Sequence, residues 1–345
     1  MMPPAALKVV ETTLAEYGAL TVGALRAYLA EAGEPRRYLY DLVADYPLRA
    51  GKMMRPSLCI ATARVFGAEP AMALPTALAI ELLHNALLIH DDIEDGSERR
   101  RGRPALHVIH GIPLALNAGD RLLLMSMRPL MRNRQILGDE LAARMMEESE
   151  RMARESAEGQ ALELGWREES NGLLRAADYL EMVLKKTCWL ATIFPMRAGA
   201  LIGSRGTLDL EPFVRFGFFL GAAFQIRDDL LNLSPGRHYG KELNGDLLEG
   251  KRTLMLIRLL DQATADEQAE VTRILRGPRI ARTSRQVSRM RTLIDKYCCI
   301  DYAQALAEEL AGAALHEFSR IYRGIPDSRD KRFIEAMALW VIERS

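Results

Sequence analysis

Apolar residues recur at helical spacing along nearly the whole chain, and strict alternation of apolar and polar positions is almost absent. The pattern predicts helices over about 5–31, 36–46, 55–66, 71–95, 114–132, 138–164, 175–202, 209–233, 252–260, 264–275, 283–294, 300–322 and 328–343. Glycine or proline marks the breaks, as at Gly33–Pro35, Gly67–Pro70, Gly111–Pro113, Gly203–Gly206, Pro235–Gly240 and Gly277-Pro278. No long linker rich in Pro, Gly or Ser and no fixed-period repeat interrupts the series, so residues 1–345 read as one all-α domain.

Two of these helices, each otherwise strongly apolar, carry a related acidic pattern: Asp91-Asp92-Ile93-Glu94-Asp95 and Asp228-Asp229-Leu230-Leu231-Asn232. At 3.6 residues per turn, Asp91, Asp92 and Asp95 fall within about 100° of one helix face, as do Asp228, Asp229 and Asn232. Glu81 and His84 extend the first stripe and Gln225 the second, while Leu82, Leu83, Leu87 and Ile89, or Phe216, Phe218, Phe219 and Phe224, fill most of the rest. One such stripe is ordinary amphipathicity with a solvated acidic end. Two, on helices this apolar, are better explained by a shared wet site, because a polar stripe inside an apolar helix is costly without partners. Facing each other, they would make a cage of hard oxygen ligands suited to Mg²⁺, which completes its shell with water and substrate phosphates. Such cations would also let the crowded carboxylates stay ionised together.

Composition narrows the partners. Lys+Arg and Asp+Glu are 46 each, so no global basic field exists to collect nucleic acid or a membrane surface. The longest apolar run, Leu74 to Ile89, holds Glu81, His84 and Asn85 in its middle, and no membrane span is predicted. The start, Met1-Met2-Pro3-Pro4, lacks a signal-peptide layout. Cys59, Cys188, Cys298 and Cys299 show no C-x-x-C spacing and read as reduced thiols of a cytoplasmic protein.

Local basic clusters then become candidate walls of a diphosphate site. Arg99-Arg100-Arg101-Gly102-Arg103-Pro104 closely follows the first motif, and guanidinium forks suit phosphate oxygens. Gly51-Lys52-Met53-Met54-Arg55-Pro56 and the stretch from Gly240-Lys241 to Gly250-Lys251-Arg252 are similar candidates, each with a plain helix start or surface loop as the alternative. Lys185-Lys186-Thr187 sits inside an apolar helix, where two lysines need an anionic partner or an exit to solvent. Arg276, Arg279, Arg282, Arg285 and Arg289 read first as a solvated face, with a partner or membrane-surface patch as the alternative. Met125, Met127 and Met131 read as core, although soft side chains also suit a tunnel wall. No phosphate-loop, dinucleotide, zinc-protease or serine-hydrolase motif is present, and the remaining histidines lack ligand spacing.

Taken in order, GKMMRP, ELLHNALLIHDDIED, RRRGRPALH, GQALEL, KKT, FQIRDDLLN and GKELNGDLLEGKRT resemble the motifs of the trans-prenyl diphosphate synthases, the polyprenyl synthetase family. The resemblance runs from about Gly51 to Leu260 and looks most like the short-chain geranylgeranyl diphosphate synthases. It implies a bundle of about 10–13 helices around a central cavity, a motif-bearing core over about 51–260 with peripheral helices over 261–345, and a homodimer. The implied reaction is Mg²⁺-dependent condensation of isopentenyl diphosphate with an allylic diphosphate (dimethylallyl, geranyl or farnesyl). Three Mg²⁺ would be held by Asp91, Asp95 and Asp228, with Asp92 and Asp229 in or next to the shell. Arg100, Lys186 and Lys241 would grip the allylic diphosphate, and Lys52, Arg55, His84 and Arg101 the isopentenyl diphosphate. Thr187 and Gln225 would sit by the reacting carbons, and Lys251 would help close the site. Asn232, where Asp stands in the first motif, is doubtful as a metal ligand.

Product length in this family is set just below the first motif, here by Ala86 and Leu87, with Leu83 a further turn down. None is aromatic, which favours a C20 product over C15. A class I terpene cyclase is the first rival; it has no need of a second diphosphate site such as GKMMRP, His84 and Arg101 suggest. A non-catalytic subunit of a heteromeric synthase is the second; both leading aspartate pairs argue against it.

Overall fold

The computed structural model describes residues 2–31, 33–49, 51–169, 174–233 and 244–343. Lys241 and the break at Pro235–Gly240 lie outside the described residues. In chain order the helices are α1 (Pro4–Ala30), α2 (Asp41–Leu48), α3 (Met54–Val65), α4 (Pro70–Asp95), α5 (Leu106–His110), α6 (Ile112–Leu137), α7 (Asp139–Glu169) and α8 (Ala176–Val183). They continue with α9 (Phe194–Gly203), α10 (Pro212–Leu233), α11 (Gly245–Glu249), α12 (Leu254–Gln262), α13 (Ala265–Arg276), α14 (Ser284–Lys296), α15 (Cys299–Ile321) and α16 (Arg329–Glu343). The predicted helices are all present with shifted ends. Beyond them the chain forms α5, α11 and one tight hairpin, β1 (Arg99–Arg100) paired antiparallel with β2 (Arg103–Pro104).

Helix ends follow local chemistry. Thr264 and Thr283 each close a capping box with the Glu or Gln three residues on, and the Thr253 hydroxyl of the GKRT motif accepts from the Leu256 N–H at the start of α12. Helix α4 starts at Pro70 and stops where the chain turns left-handed at Gly96 (φ 62°). By length and composition α4 could cross a membrane, but 67% of its most apolar window is buried in the bundle, as expected of a core helix. It separates two cores. The larger joins α3, α4, α7 to α10 and the C-terminal helices; the smaller joins α1, α2, α4 and α6.

The predicted helix over 175–202 is continuous, but Leu184–Ile193 within it is wound as a π-helix. Its last turn is closed by the Phe194 N–H reaching the Trp189 carbonyl, and Pro195 has no N–H with which to tighten the following turn. Close packing holds the widened segment on both sides. A side-chain carbon at Gly159 would fall 2.2 Å from the Lys186 nitrogen, and one at Gly221 would fall 2.8 Å from the Cys188 sulfur. Only glycine lets α7 and α10 approach so closely. The GQALEL glycine thus fixes where Lys186 and Thr187 stand.

One core assignment is corrected. Met125 is buried against α4, but Met127 and Met131 are 45% and 61% exposed. They continue an apolar stripe of Ile109, Ile112, Leu116 and Leu123 on α5 and α6 that is exposed among the described residues.

Candidate active site

The two acidic stripes face a common space, but they do not meet as a bare cage. Three charged side chains stand between them. Lys186, from the π segment, donates to Asp91 (3.2 Å) and to the buried Glu163 of GQALEL. Lys251 donates to Asp229 (3.1 Å) and is electrostatically coupled to Glu163. Burial penalises the Lys186 ammonium, yet Glu163 and Asp91 outweigh it and hold its pKa above the ordinary lysine value. Lys251 is likewise held well above that value, with Asp229 and Asp246 outweighing burial.

Within each motif the second aspartate is the enclosed one. Asp92 is fully buried; it accepts the Tyr46 hydroxyl (2.5 Å) and a fork from the Arg100 guanidinium, whose Nε lies 3.0 Å from both carboxylate oxygens. Asp229 is 1% exposed and accepts the Tyr179 hydroxyl (2.8 Å), the Gln225 amide (2.8 Å) and Lys251. Asp91, Asp95 and Asp228 are only partly buried. Asp95 pairs with Arg167 (2.7 Å), and burial together with the Asp91 charge pushes its carboxyl up to about 6. Asn232 is spent on the backbone: its Oδ1 accepts the Asp246 N–H (3.1 Å) and its carbonyl the Asn244 N–H (2.9 Å).

The RRRGRP segment forms the hairpin, with Arg101 and Gly102 left-handed at the turn. Alternation sends its arginines apart. Arg100 turns inward to Asp92 and Asp91, while Arg101 crosses to the carbonyls of Tyr46 (3.0 Å) and Arg49 (2.7 Å) and lies against Gly51. Arg49 braces the hairpin through the carbonyls of Arg100 and Pro104 (3.0 Å each). A second corner, cationic through Arg55 and Arg101, also holds His84. Burial pushes the His84 imidazole down to about 4, with the Arg55 and Arg101 charges adding to it against Glu81, so it is neutral at pH 7. Lys52 instead reaches over the Trp340 ring of α16 (5.3 Å). Thr187 donates to the Gln225 carbonyl (2.9 Å), joining the π segment to the second motif. Tyr46, Arg49, Glu163, Arg167 and Tyr179 were not anticipated. GQALEL did place an acid beside an invading glycine contact, whereas the two tyrosines carry no local signal.

The donor set suits a divalent cation. It is all carboxylate oxygen, and a cation would favour the ionised form of Asp95, which burial first and the Asp91 charge second push up to about 6. Among the described residues no three acidic or imidazole groups converge as a ready-made ligand cluster, and Lys186 stands on Asp91, one of the partly open carboxylates.

A model of the polyprenyl synthetases matches residues 37–293. The chain belongs to the polyprenyl synthetase family. It is 34% identical to the short chain isoprenyl diphosphate synthase of Methanothermobacter thermautotrophicus over 82% of this chain and 87% of that one. It is 32% identical to the geranylfarnesyl diphosphate synthase of Aeropyrum pernix over 85% and 90%. The crystal structure of geranylgeranyl pyrophosphate synthetase from Pyrococcus horikoshii superposes with a TM-score of 0.85 at 29% identity, covering 98% and 99% of the two chains. The fold is that of the isoprenoid synthases, and the activity class is trans-prenyl transfer.

Proposed function

We propose that this polyprenyl synthetase condenses isopentenyl diphosphate with dimethylallyl, geranyl or farnesyl diphosphate in the presence of Mg²⁺, ending at the C20 product. The observation that carries the reading is the pairing of two cationic corners around the acidic pair: Lys186 and Lys251 between the motifs, and Arg55, His84 and Arg101 beside them. Two diphosphates need two such corners; a cyclase needs one.

In this reading Lys186, with Lys241 from outside the described residues, holds the allylic diphosphate, and Arg55, Arg101 and Lys52 hold isopentenyl diphosphate. Neutral His84 gives the second substrate a hydrogen-bond partner without further charge. Asp91, Asp95 and Asp228 would hold the metal ions, three per site, which would supply Lewis acidity for departure of the allylic diphosphate. Asp92 and Asp229 act as buried anchors, and Arg100 serves chiefly to hold Asp92. The ionised allylic carbon is attacked by the isopentenyl double bond. Loss of a proton to the freed diphosphate restores a double bond in a chain five carbons longer. Thr187 and Gln225 set polar dipoles beside the reacting carbons, and Lys251 closes the site against water.

Leu87 is partly buried on the side of the larger core, one turn above Leu83, whereas Ala86 is fully buried in the core that α4 shares with α6. A tail passing Leu87 and stopping near Leu83 corresponds to C20. Leu87→Phe should shorten the product with the bundle intact, and Leu83→Ala should lengthen it. The exposed stripe along α5 and α6 supports a homodimer, and four unbridged cysteines suit the cytoplasm. Purified protein with Mg²⁺, isopentenyl diphosphate and each primer, read by mass spectrometry, tests the reading. It predicts geranylgeranyl diphosphate; hydrocarbon formed from geranylgeranyl diphosphate alone would replace it with a cyclase.

A further inference from the structure

The basic run Arg276 to Arg289 is not a solvated face throughout. Between α13 and α14 the chain makes a single 3₁₀ turn, Arg279–Ala281, whose outward side is Ile280, 96% exposed, while the arginines on either side turn inward. Arg279 donates to the Asp95 carbonyl (3.4 Å) and to the Glu249 carboxylate (3.0 Å). Arg282 donates to the Leu248 carbonyl and also to those of Leu275 and Gly277 (2.8 Å each) at the end of α13. Two arginines far along the chain therefore grip both flanks of the acidic site: the end of the first aspartate helix and the short helix α11.

Helix α11 is seated in the larger core by Leu247, with Leu248 packed against it, and its polar ends are tied to the site. It is five residues long, and its end is continuous with the catalytic cage, since the Lys251 N–H bonds back to the Asp246 carbonyl (2.9 Å) while its ammonium reaches Asp229 (3.1 Å). Asn232 holds the near end of this unit through Asp246, and Arg279 and Arg282 hold the far end. A displacement at Glu249 carries Lys251 with it.

We infer that Arg279 is a positioning residue for the allylic diphosphate half of the site: by joining Asp95 to Glu249 it sets the distance between the first aspartate motif and Lys251. The inference rests on the proposed placement of the metal at Asp91 and Asp95 and on Lys251 as the group that closes the allylic half of the site, and it leaves the isopentenyl corner untouched. Arg279→Ala and Glu249→Gln should each raise the Mg²⁺ concentration for half-maximal rate and the KM for the allylic substrate by about tenfold. The KM for isopentenyl diphosphate should not change. Combined in one chain, the two changes should cost little more than either alone, because they break the same tie. Both contacts leave one guanidinium nitrogen, so Arg279→Lys, whose ammonium can also donate to two partners from a shorter side chain, should restore part of the loss. A brace with no bearing on the site would instead lower the melting temperature and leave both constants where they were, or move the two KM values together; either result overturns the inference. Should Arg279→Ala fail to fold, Glu249→Gln decides by the same readouts. Wild-type protein inactive with any primer would sink the site assignment, whereas active wild type with unmoved constants in the variants would sink this inference alone.

Discussion

The two aspartate motifs use one device with different ends. In each, the second aspartate is buried and held by a tyrosine hydroxyl and a cation from elsewhere in the chain: Tyr46 and Arg100 for Asp92, Tyr179 and Lys251 for Asp229. In each, the leading aspartate stays only partly buried. They part at the last position. Asp95 is a third carboxylate, crowded enough to be half protonated near pH 6, while Asn232 is a neutral bracket for the segment carrying Lys251. The comparison teaches a division within Asp-Asp-x-x-Asp/Asn: the second aspartate is built into the frame, and the first is left open for the proposed metal.

The largest effect should come from the leading positions. Asp91→Ala and Asp228→Ala should each reduce turnover at least a thousandfold, about 4 kcal/mol of transition-state stabilisation, with the far-ultraviolet helical signal unchanged. Removing divalent metal with EDTA should mimic them. Retention of a tenth of the rate by either, a deficit of only ~1.4 kcal/mol, would break the proposed equivalence of Asp91 and Asp228.

Asp95 sharpens the contrast in a stability measurement. Its folded pKa, about 6, lies above the usual 3.8, so between these values the folded state binds more protons than the unfolded one and stability falls as pH rises. At pH 7 without metal, that penalty is on the order of 3 kcal/mol. Asp95→Asn should therefore melt higher than wild type at pH 7 without Mg²⁺, lose that advantage below pH 4, and be a poor enzyme. An unchanged difference across this range would show that Asp95 is not crowded as described. Smaller effects should follow at the tyrosines. Tyr46→Phe and Tyr179→Phe each remove one hydrogen bond to a buried carboxylate, costing about 1–3 kcal/mol in urea unfolding, and Tyr46→Phe adds the loss of the Leu106 N–H bond that its hydroxyl accepts. Losses at both support the parallel between motifs, and a loss confined to one tyrosine would break it. Smallest of all, Asn232→Asp should keep most activity, since its carboxylate can still accept the Asp246 N–H; a gain in metal affinity would show that this position is a ligand after all.

Much of this was legible beforehand because it is local. Helical periodicity and Gly/Pro breaks located the helices, and i, i+1, i+4 spacing put each motif on one face. What stayed hidden depends on contacts distant in sequence. The π segment follows from Gly159 and Gly221 admitting two neighbouring helices, the anchoring of Asp92 depends on a tyrosine 46 residues earlier, and Arg279 looked like surface charge because its partner carbonyl at Asp95 is 184 residues away. The product-length positions show the same limit, because helical spacing placed Ala86 and Leu87 side by side and only packing assigned them to different cores.

The most direct test of frame against worker is the rise in melting temperature on adding Mg²⁺ and inorganic diphosphate to Asp91→Asn, Asp228→Asn, Asp92→Asn and Asp229→Asn proteins. Asp92→Asn and Asp229→Asn should start several degrees lower than wild type, since each weakens a buried pair, yet still be stabilised by the additions. Asp91→Asn and Asp228→Asn should start near wild type and gain nothing. The reverse pattern, with the response lost at Asp92 and Asp229 and kept at Asp91 and Asp228, would contradict the account.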